Sequence, residues 1–300
     1  MSRYREMEIF DAVARAGSLA SAARHMELSQ ATVIRTMTIL EGRLGCALLI
    51  RSPRGVNLSP EGELFATRCR LILQDIADAD RSVRGIHTNP AGHLTVSLPL
   101  LMTHQVFMPI ALEYLQAFPD VQVLTRSREN TPKLLEEGID VALVVGHLPD
   151  SSGFAIPIGT VKPLICGSPE YLNKWGRPNT PEDIKAHRTI LTSSMDHLAE
   201  WRQPYSSSCR PFRSTPVLTC TTRHAAIQAA VSGLGLTQCM SYEAHQELHS
   251  GMLEPVLERF ATPNLPAQLM SREGRKASAR VRTFLDFAVP RLRAHPAFHH

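Results

Sequence analysis

Gln30 and Arg35 stand five residues apart at the start of one helical pattern, and Arg51 and Arg54 bracket the turn RSPRG that follows. Gln and Arg near a helix N-terminus are the side chains able to make bidentate hydrogen bonds to adenine or guanine edges. Cations at a hairpin tip can meet phosphate oxygens. The chemistry on offer is recognition of a DNA duplex, through a surface made of Ser29, Gln30, Ala31, Thr32, Ile34, Arg35 and Thr38 with Arg51 and Arg54 beside it. The opposite side of the same helix carries Val33, Met37, Leu40 and Leu44, spaced four, three and four, and is expected to be buried.

The elements that hold this surface can be read around it. A first helix runs from about Arg5 to Arg15, with Met7, Phe10 and Val13–Ala14 in one apolar stripe, and Gly17 ends it in the left-handed region. Ser18 is placed to cap a second helix whose inner face is Leu19, Ala22, Ala23 and Met26. Glu27–Leu28 make the turn, and Ser29 caps the third helix. Apolar runs Ala47–Ile50 and Val56–Leu58 flank the Arg-bearing tip and make a wing. Helix-turn-helix followed by a wing lets one helix enter a major groove while the wing lies along the backbone. A plain three-helix packing unit with a solvated polar face would explain the helices but not the wing.

Other constellations are weaker. His245 and His249 are four apart, as in zinc proteases, yet the base Glu must follow the first His and here that residue is Gln246. A solvated helix face is expected there. The run from Ser232 to Gly235 is a helix-to-strand turn without the spacing or Lys of a phosphate loop. The six cysteines, Cys46, Cys69, Cys166, Cys209, Cys220 and Cys239, include no CxxC pair and are expected to be reduced, ordinary thiols. Cys209 and Cys220 form the one imaginable thiol switch. No Ser/His/Asp order or carboxylate pair points to catalysis, no metal ligand set is visible, and the ending HPAFHH reads as a disordered tail.

Between Pro60 and His87 the chain reads as one long helix. Phe65, Cys69, Ile72, Ile76, Ala79, Val83 and Ile86 alternate steps of four and three, an a/d seam flanked by mixed charge that suits a dimer. Asn89–Gly92 breaks it. Short aliphatic strands then alternate with helices: strands at His93–Leu98, Val121–Ser127, Val141–Val145 and Leu164–Gly167, helices at Gln105–Ala117 and Pro132–Glu137. That pattern implies α/β units around mostly parallel sheets, whose ligands sit at the carboxyl ends of strands. The positions this nominates are Leu100, Leu101, Met102 and Thr103 after the first strand, Arg126 and Arg128 after the second, and His147 after the third. Thr192, Ser193, Thr221 and Thr222 are the corresponding positions further on. Composition agrees with several globular units: 300 residues, 43% hydrophobic, net charge +4, and no Lys before Lys133, so the proposed reader is all-Arg. No apolar run reaches the roughly 20 residues of a membrane span. MSRYREMEIF lacks a signal peptide's apolar core, so a cytoplasmic protein is expected.

The stretches AGSLASAARHMELSQATVIRTMTILEGRLG and LLIRSPRGVNLSPEGE resemble the DNA-binding end of LysR-type transcriptional regulators. LLEEGIDVALVVGHLPDSS, ICGSPEYLNKWGRPNTPEDIKAH and AAVSGLGL extend the likeness over nearly the whole chain. The resemblance implies an α/β multidomain protein. Its parts would be a winged helix-turn-helix over 1–59, a dimerising linker helix over 60–88, a hinge at 89–92, and a tail at 296–300. Between them would lie a two-subdomain effector domain similar to periplasmic binding proteins, with 93–161 plus 267–295 as one subdomain and 162–266 as the other. It also implies double-stranded promoter DNA with an imperfect palindrome, a dimer or tetramer, an unidentified small-molecule effector without any other cofactor, and contact with RNA polymerase. A binding protein or enzyme with an N-terminal oligomerisation domain is the alternative. The family usually has Pro or Ser at Ala31 and Ser or Thr at Ile34, so base preference does not transfer. It often has Ser and Phe where this chain has Leu101 and Met102, and the more apolar wall points to an effector with a hydrophobic body and one polar or anionic end.

Overall fold

Ser2 accepts a hydrogen bond from the Arg5 amide at 3.3 Å and starts α1 (Arg3–Ala16), the first element of a computed structural model. The structure describes residues 1–52, 55–83, 90–128, 131–148, 154–192, 216–261, 263–272 and 277–299. Gly17 closes α1 at φ +59° with its amide on Val13 O, and Ser18 caps α2 (Leu19–His25). Glu27 takes φ +55° in the turn, and Ser29 caps α3 (Gln30–Leu44). Ile9, Phe10, Val13, Ala22, Val33, Met37 and Leu40 are fully buried where the three helices meet. Leu44, expected inside, is 37% exposed, because the helix outruns the core just before the left-handed Gly45; Thr36 takes the inner place instead.

The wing is β1 (Leu49–Ser52) paired antiparallel with β2 (Gly55–Leu58). It is fastened to the α1–α2 turn by the Val56 amide on Gly17 O at 2.9 Å. At Gly55 an added Cβ would lie 2.8 Å from Gly17 O, so this approach needs glycine. Ile50, read as part of an apolar run, faces solvent.

Helix α4 (Pro60–Val83) packs on α1. Phe65 meets Phe10 with ring centroids 5.2 Å apart, Cys69 is fully buried in the same core, and Arg70 donates to Asp11 at 2.9 Å. The heptad seam is therefore divided. Phe65 and Cys69 are spent inside the chain's own reader, because α1 offers them an apolar face, while Ile72, Ile76 and Ala79 remain exposed. Burial pushes the Cys69 thiol up to about 12, which makes it inert. The side chain of Val83, and Ile86, lie outside the described residues.

Beyond the linker come β3 (Gly92–Leu98), α5 (Leu100–Met102) running through a π turn at Thr103–Phe107 into α6 (Met108–Ala117), β4 (Val121–Ser127), α7 (Leu134–Glu137), β5 (Val141–Val145) and β6 (Phe154–Val161). The chain continues with β7 (Pro163–Gly167), α8 (Pro169–Trp175), β8 (Thr189–Thr192), β9 (Pro216–Cys220), α9 (Arg223–Val231), β10 (Leu236–Met240), α10 (His245–His249), β11 (Glu254–Val256), β12 (Leu265–Ser271) and α11 (Ala279–Ala294). Among the described residues two five-stranded sheets result, ordered β4-β3-β5-β12-β6 and β11-β7-β10-β8-β9. They are more mixed than the alternation implied. β3 runs parallel to β4 and β5, yet β12 is antiparallel to β5 and β6; β8 is parallel to β9 and β10, yet β7 is antiparallel to β10 and β11. The chain passes from the first sheet to the second between Val161 and Pro163, and returns before Leu265.

The C-terminus corrects the sequence reading. Pro296–Phe298 forms a 3-10 turn, and Phe298 is 1% exposed against β6, its backbone so near Gly159 that an added Cβ would meet Phe298 O at 2.5 Å. Apolar Phe298 has a cavity to fill, which outweighs the polar histidines around it. The Ala297 amide donates to His295 Nδ1 at 3.2 Å, so the cap needs that nitrogen unprotonated. Burial, with His245 and His299 nearby, holds His295 below its ordinary value. Phe298→Ala is expected to cost about 3–5 kcal/mol in denaturant unfolding. A depressed histidine stabilises the fold above its unfolded pKa, and that stability is lost as pH falls. The melting temperature is thus expected to drop as pH falls below the ordinary histidine value of about 6.5, and to drop less in His295→Asn, which keeps an acceptor without titrating.

Candidate DNA-reading surface and effector cleft

At the start of α3 the Ser29 hydroxyl accepts from the Thr32 amide at 3.1 Å and lies 2.8 Å from the Thr32 hydroxyl. Both are thereby held at the helix entrance, while Gln30, Ala31, Arg35 and Thr38 are exposed. Among the described residues neither Arg35 nor Arg51 has a carboxylate partner, whereas Arg5, Arg15 and Arg43 of the same domain, and Arg70 on α4, are ion-paired. Arg3 on α1 and Arg24 on α2 are likewise without a carboxylate partner among the described residues, and Arg35 and Arg51 are the two that stand on the α3 face and the wing. Ile34 departs from expectation: it is half-buried and packs on the reader core, so it offers an edge and not a full side chain to a groove. Arg54 lies outside the described residues.

In the first sheet's unit, the turn after β3 presents only Leu100 to solvent. Leu101 and Met102 turn into the core at 8% and 0% exposure, so they are not the open apolar wall the sequence reading made of them. Thr103 is buried as well, and its hydroxyl donates to Pro99 O at 3.1 Å, one helical turn back. The helix widens into its π turn just before Pro109, whose ring has no amide to give Gln105 O and crowds that carbonyl. Such turns recur at functional sites. This one directs Gln105 toward the second unit, its Nε2 reaching Glu243 O at 3.5 Å, while its buried Oε1 has no hydrogen-bond partner.

Glu243 is itself the centre of a cluster that sequence reasoning missed. It accepts from the Met240 amide at 2.7 Å and from the Tyr242 hydroxyl at 3.4 Å, and pairs with Arg223 at 3.2 Å. One signal was available: Arg223 opens α9, where a cation opposes the helix dipole unless an acid offsets it. Thr192 and Cys220 are register partners at the ends of parallel β8 and β9, so Thr192, Thr221 and Thr222 share one sheet edge. Thr222 caps α9 through Ala225. Arg128 pairs with Glu137 at 2.9 Å, and His147 is exposed. Arg126 is elsewhere, facing α4 and donating to Glu137 O at 3.0 Å. Ser193 and Cys209 lie outside the described residues.

The helix at His245 is less solvated than expected: the His245 ring stacks on His249 at 6.3 Å and packs near His295, and Glu247 is buried. Among the described residues no group of His, Cys, Asp or Glu is placed to hold a metal, and no helix is long and apolar enough to cross a membrane. Cys166 and Cys239 lie 3.9 Å apart on β7 and β10 as free, buried thiols.

The family model described as "Bacterial regulatory helix-turn-helix protein, lysR family" matches residues 4–63, and that described as "LysR substrate binding domain" matches residues 87–293. The chain belongs to the LysR family. Across 288 residues this LysR-family chain is 29% identical to an HTH-type transcriptional regulator of Xanthomonas campestris, covering 95% of this chain and 84% of that one. CrgA of Neisseria meningitidis serogroup B is 27% identical over 96% of each chain. The solved structure of CrgA superimposes with a TM-score of 0.60 over 97% of this chain and 99% of that one, at 27% identity. The full-length structure of LysG from Corynebacterium glutamicum with bound effector Arg has a TM-score of 0.64 over 97% of this chain and 98% of that one at 16% identity, which shows a common fold. The LysR-family chain is thus a DNA-binding transcriptional regulator with an effector domain, and its N-terminal unit is a reader and not a mere oligomerisation module.

Arg35→Ala is expected to weaken binding to a mapped operator by about 1–3 kcal/mol and relax preference at one base pair. Arg51→Ala is expected to weaken all sequences alike and reduce the salt slope by about one. Anisotropy titrations on matched and scrambled duplexes separate the two.

Proposed function

We propose that this regulator binds an imperfectly palindromic promoter site as a dimer or a tetramer built from dimers, with α3 in the major groove and the wing on phosphate. The observation that carries the reading is that Arg35 on the exposed face of α3 and Arg51 on the wing have no carboxylate partner among the described residues, while Arg43 at the far end of α3 is paired with Glu6. Each reader is rigidly continuous with α4 through Phe65 and Cys69, so whatever α4 does in the dimer is passed to α3. The face left for a partner is Ile72, Ile76 and Ala79. Contact with RNA polymerase follows once the dimer sits at a promoter.

The effector is proposed to bind between the two α/β units, with Leu100, Gln105, Arg128, His147, Thr192, Thr221 and Thr222 on its borders. Gln105 Oε1 supports this placement, since a buried acceptor without a donor costs free energy that a ligand donor would recover. With Leu100 as the exposed apolar surface, the fitting molecule has a compact apolar body and one polar end able to donate a hydrogen bond. Phenols and other small aromatic or short-chain molecules that carry a hydroxyl or an amide N–H are the class to screen. Binding would favour one spacing of the two readers and so change transcription.

Ile76→Asp sets a carboxylate on the exposed seam, where pairing would bury it at a cost of several kcal/mol. Light scattering is expected to show monomer for that variant with its far-ultraviolet dichroism intact; an unchanged oligomer would exclude this seam. An electrophoretic shift with the chain's own upstream DNA tests the reader directly, and thermal-shift screening of wild type against Gln105→Leu tests the cleft. A compound that stabilises wild type by about 2.7 kcal/mol at a hundred times its dissociation constant is expected to lose that effect in Gln105→Leu.

A further inference from the structure

Where α4 crosses the edge of the first sheet it leaves a cavity of about 560 Å³. Its walls come from α1, α4, β3, β4 and the end of α7, with Leu73 and Ala77 on one side and Val123 and Leu124 on the other. The volume falls within the roughly 300–1,000 Å³ of small-molecule sites. The walls are held apart by identifiable contacts. Arg68 donates to Leu135 O at 3.2 Å, Arg272 pairs with Asp75 at 3.2 Å, and the Gln74 amide donates to His93 O. Gly138, at φ +65°, lets the chain approach so closely that an added Cβ would sit 3.1 Å from Thr67.

The charge around this cavity is not balanced. Three guanidiniums, Arg15, Arg70 and Arg126, line it together with two carboxylates, Asp11 and Glu137. Asp11 is shared by Arg15 at 2.7 Å and Arg70 at 2.9 Å, so one carboxylate answers two cations. Glu137 is taken by Arg128, which lies outside the lining, at 2.9 Å. Among the described residues Arg126 has a backbone carbonyl, Glu137 O, and no carboxylate partner. The result is an apolar pocket with an excess of positive charge, in a place the effector cleft does not reach.

We infer that this cavity is a second ligand site, for a compact amphipathic anion whose acid group meets Arg126 and the Arg15–Arg70 pair while its apolar body lies between α4 and β4. The inference does not depend on the proposed cleft. A ligand here touches the reader through α1, the linker through α4 and the effector domain through β4, so its binding favours the arrangement in which the three are packed together. Two molecules acting on one regulator, one between the α/β units and one at the linker, then become a physical possibility of the same chain.

The test uses the full-length protein and the fluorescent anion 8-anilinonaphthalene-1-sulfonate, which joins an aromatic body to a sulfonate. Saturable binding near one per chain is expected. Arg126→Gln, which removes the unanswered charge, and Ala77→Trp, which fills the cavity from an exposed helix position, are each expected to weaken it at least tenfold with melting curves unchanged. Gln105→Leu, altered only in the proposed cleft, is expected to bind as wild type. Wild-type affinity in both Arg126→Gln and Ala77→Trp, or loss in Gln105→Leu alone, would overturn the inference.

Discussion

The packing of α4 on α1 is the contact on which the rest of the molecule depends. Phe65 against Phe10, the buried Cys69 and the Asp11–Arg70 pair fix the long helix to the reader before it meets anything else. A helix has a limited circumference, and each side of this one is assigned. One side completes the reader core, another carries Ile72 and Ile76 to solvent, and a third lies over β3, β4 and α7. A change in how α4 meets a second chain or the first sheet therefore moves α3 as a rigid body, since no soft joint intervenes between Phe65 and the reader.

The effector domain repeats this economy with polar groups. Asp140 and Arg280 are both buried, with side-chain exposures of 6% and 3% and 3.6 Å between their charges, and the Thr95 amide donates to Asp140 at 2.8 Å. Burial raises Asp140 even with the guanidinium beside it. A pair of this kind adds little net stability over an apolar packing but is costly to break, and it ties α11 to β3 in one register. Phe298 adds an apolar lock on β6 from the other end of the same C-terminal segment. The first sheet is thus held in one register at both ends of the C-terminal segment, and its core continues into residues of the second sheet such as Cys166 and Ile190.

Much of the reader was legible in the sequence because its signals are local. Ser18, Ser29, Gly17 and the three- and four-residue steps all act within a turn or two of themselves, and the caps and helices stand where those residues put them. The strands Val121–Ser127 and Val141–Val145 were legible for the same reason. What escaped depended on partners distant in the chain. The heptad seam gives no sign that Phe65 and Cys69 face α1 and not a second copy, because period alone does not name the partner. Likewise Met102 and Thr103 follow a strand as cleft residues do, but a helix beginning there turns them inward. Phe298 was hidden among histidines, and Glu243 gains meaning only when α9 brings Arg223 to it.

The most direct test of the account is a hydroxyl-radical footprint of the full-length protein on its own upstream DNA. Two readers held by paired α4 helices should protect two half-sites on one face of the duplex, related by a dyad and separated by one or more turns of roughly 34 Å. Each half-site should show protected backbone sugars beside the groove that α3 enters and along the stretch the wing covers. A single protected half-site without a dyad, or protection that does not follow the helical repeat, would contradict the claim that α4 fixes the readers in a symmetric pair.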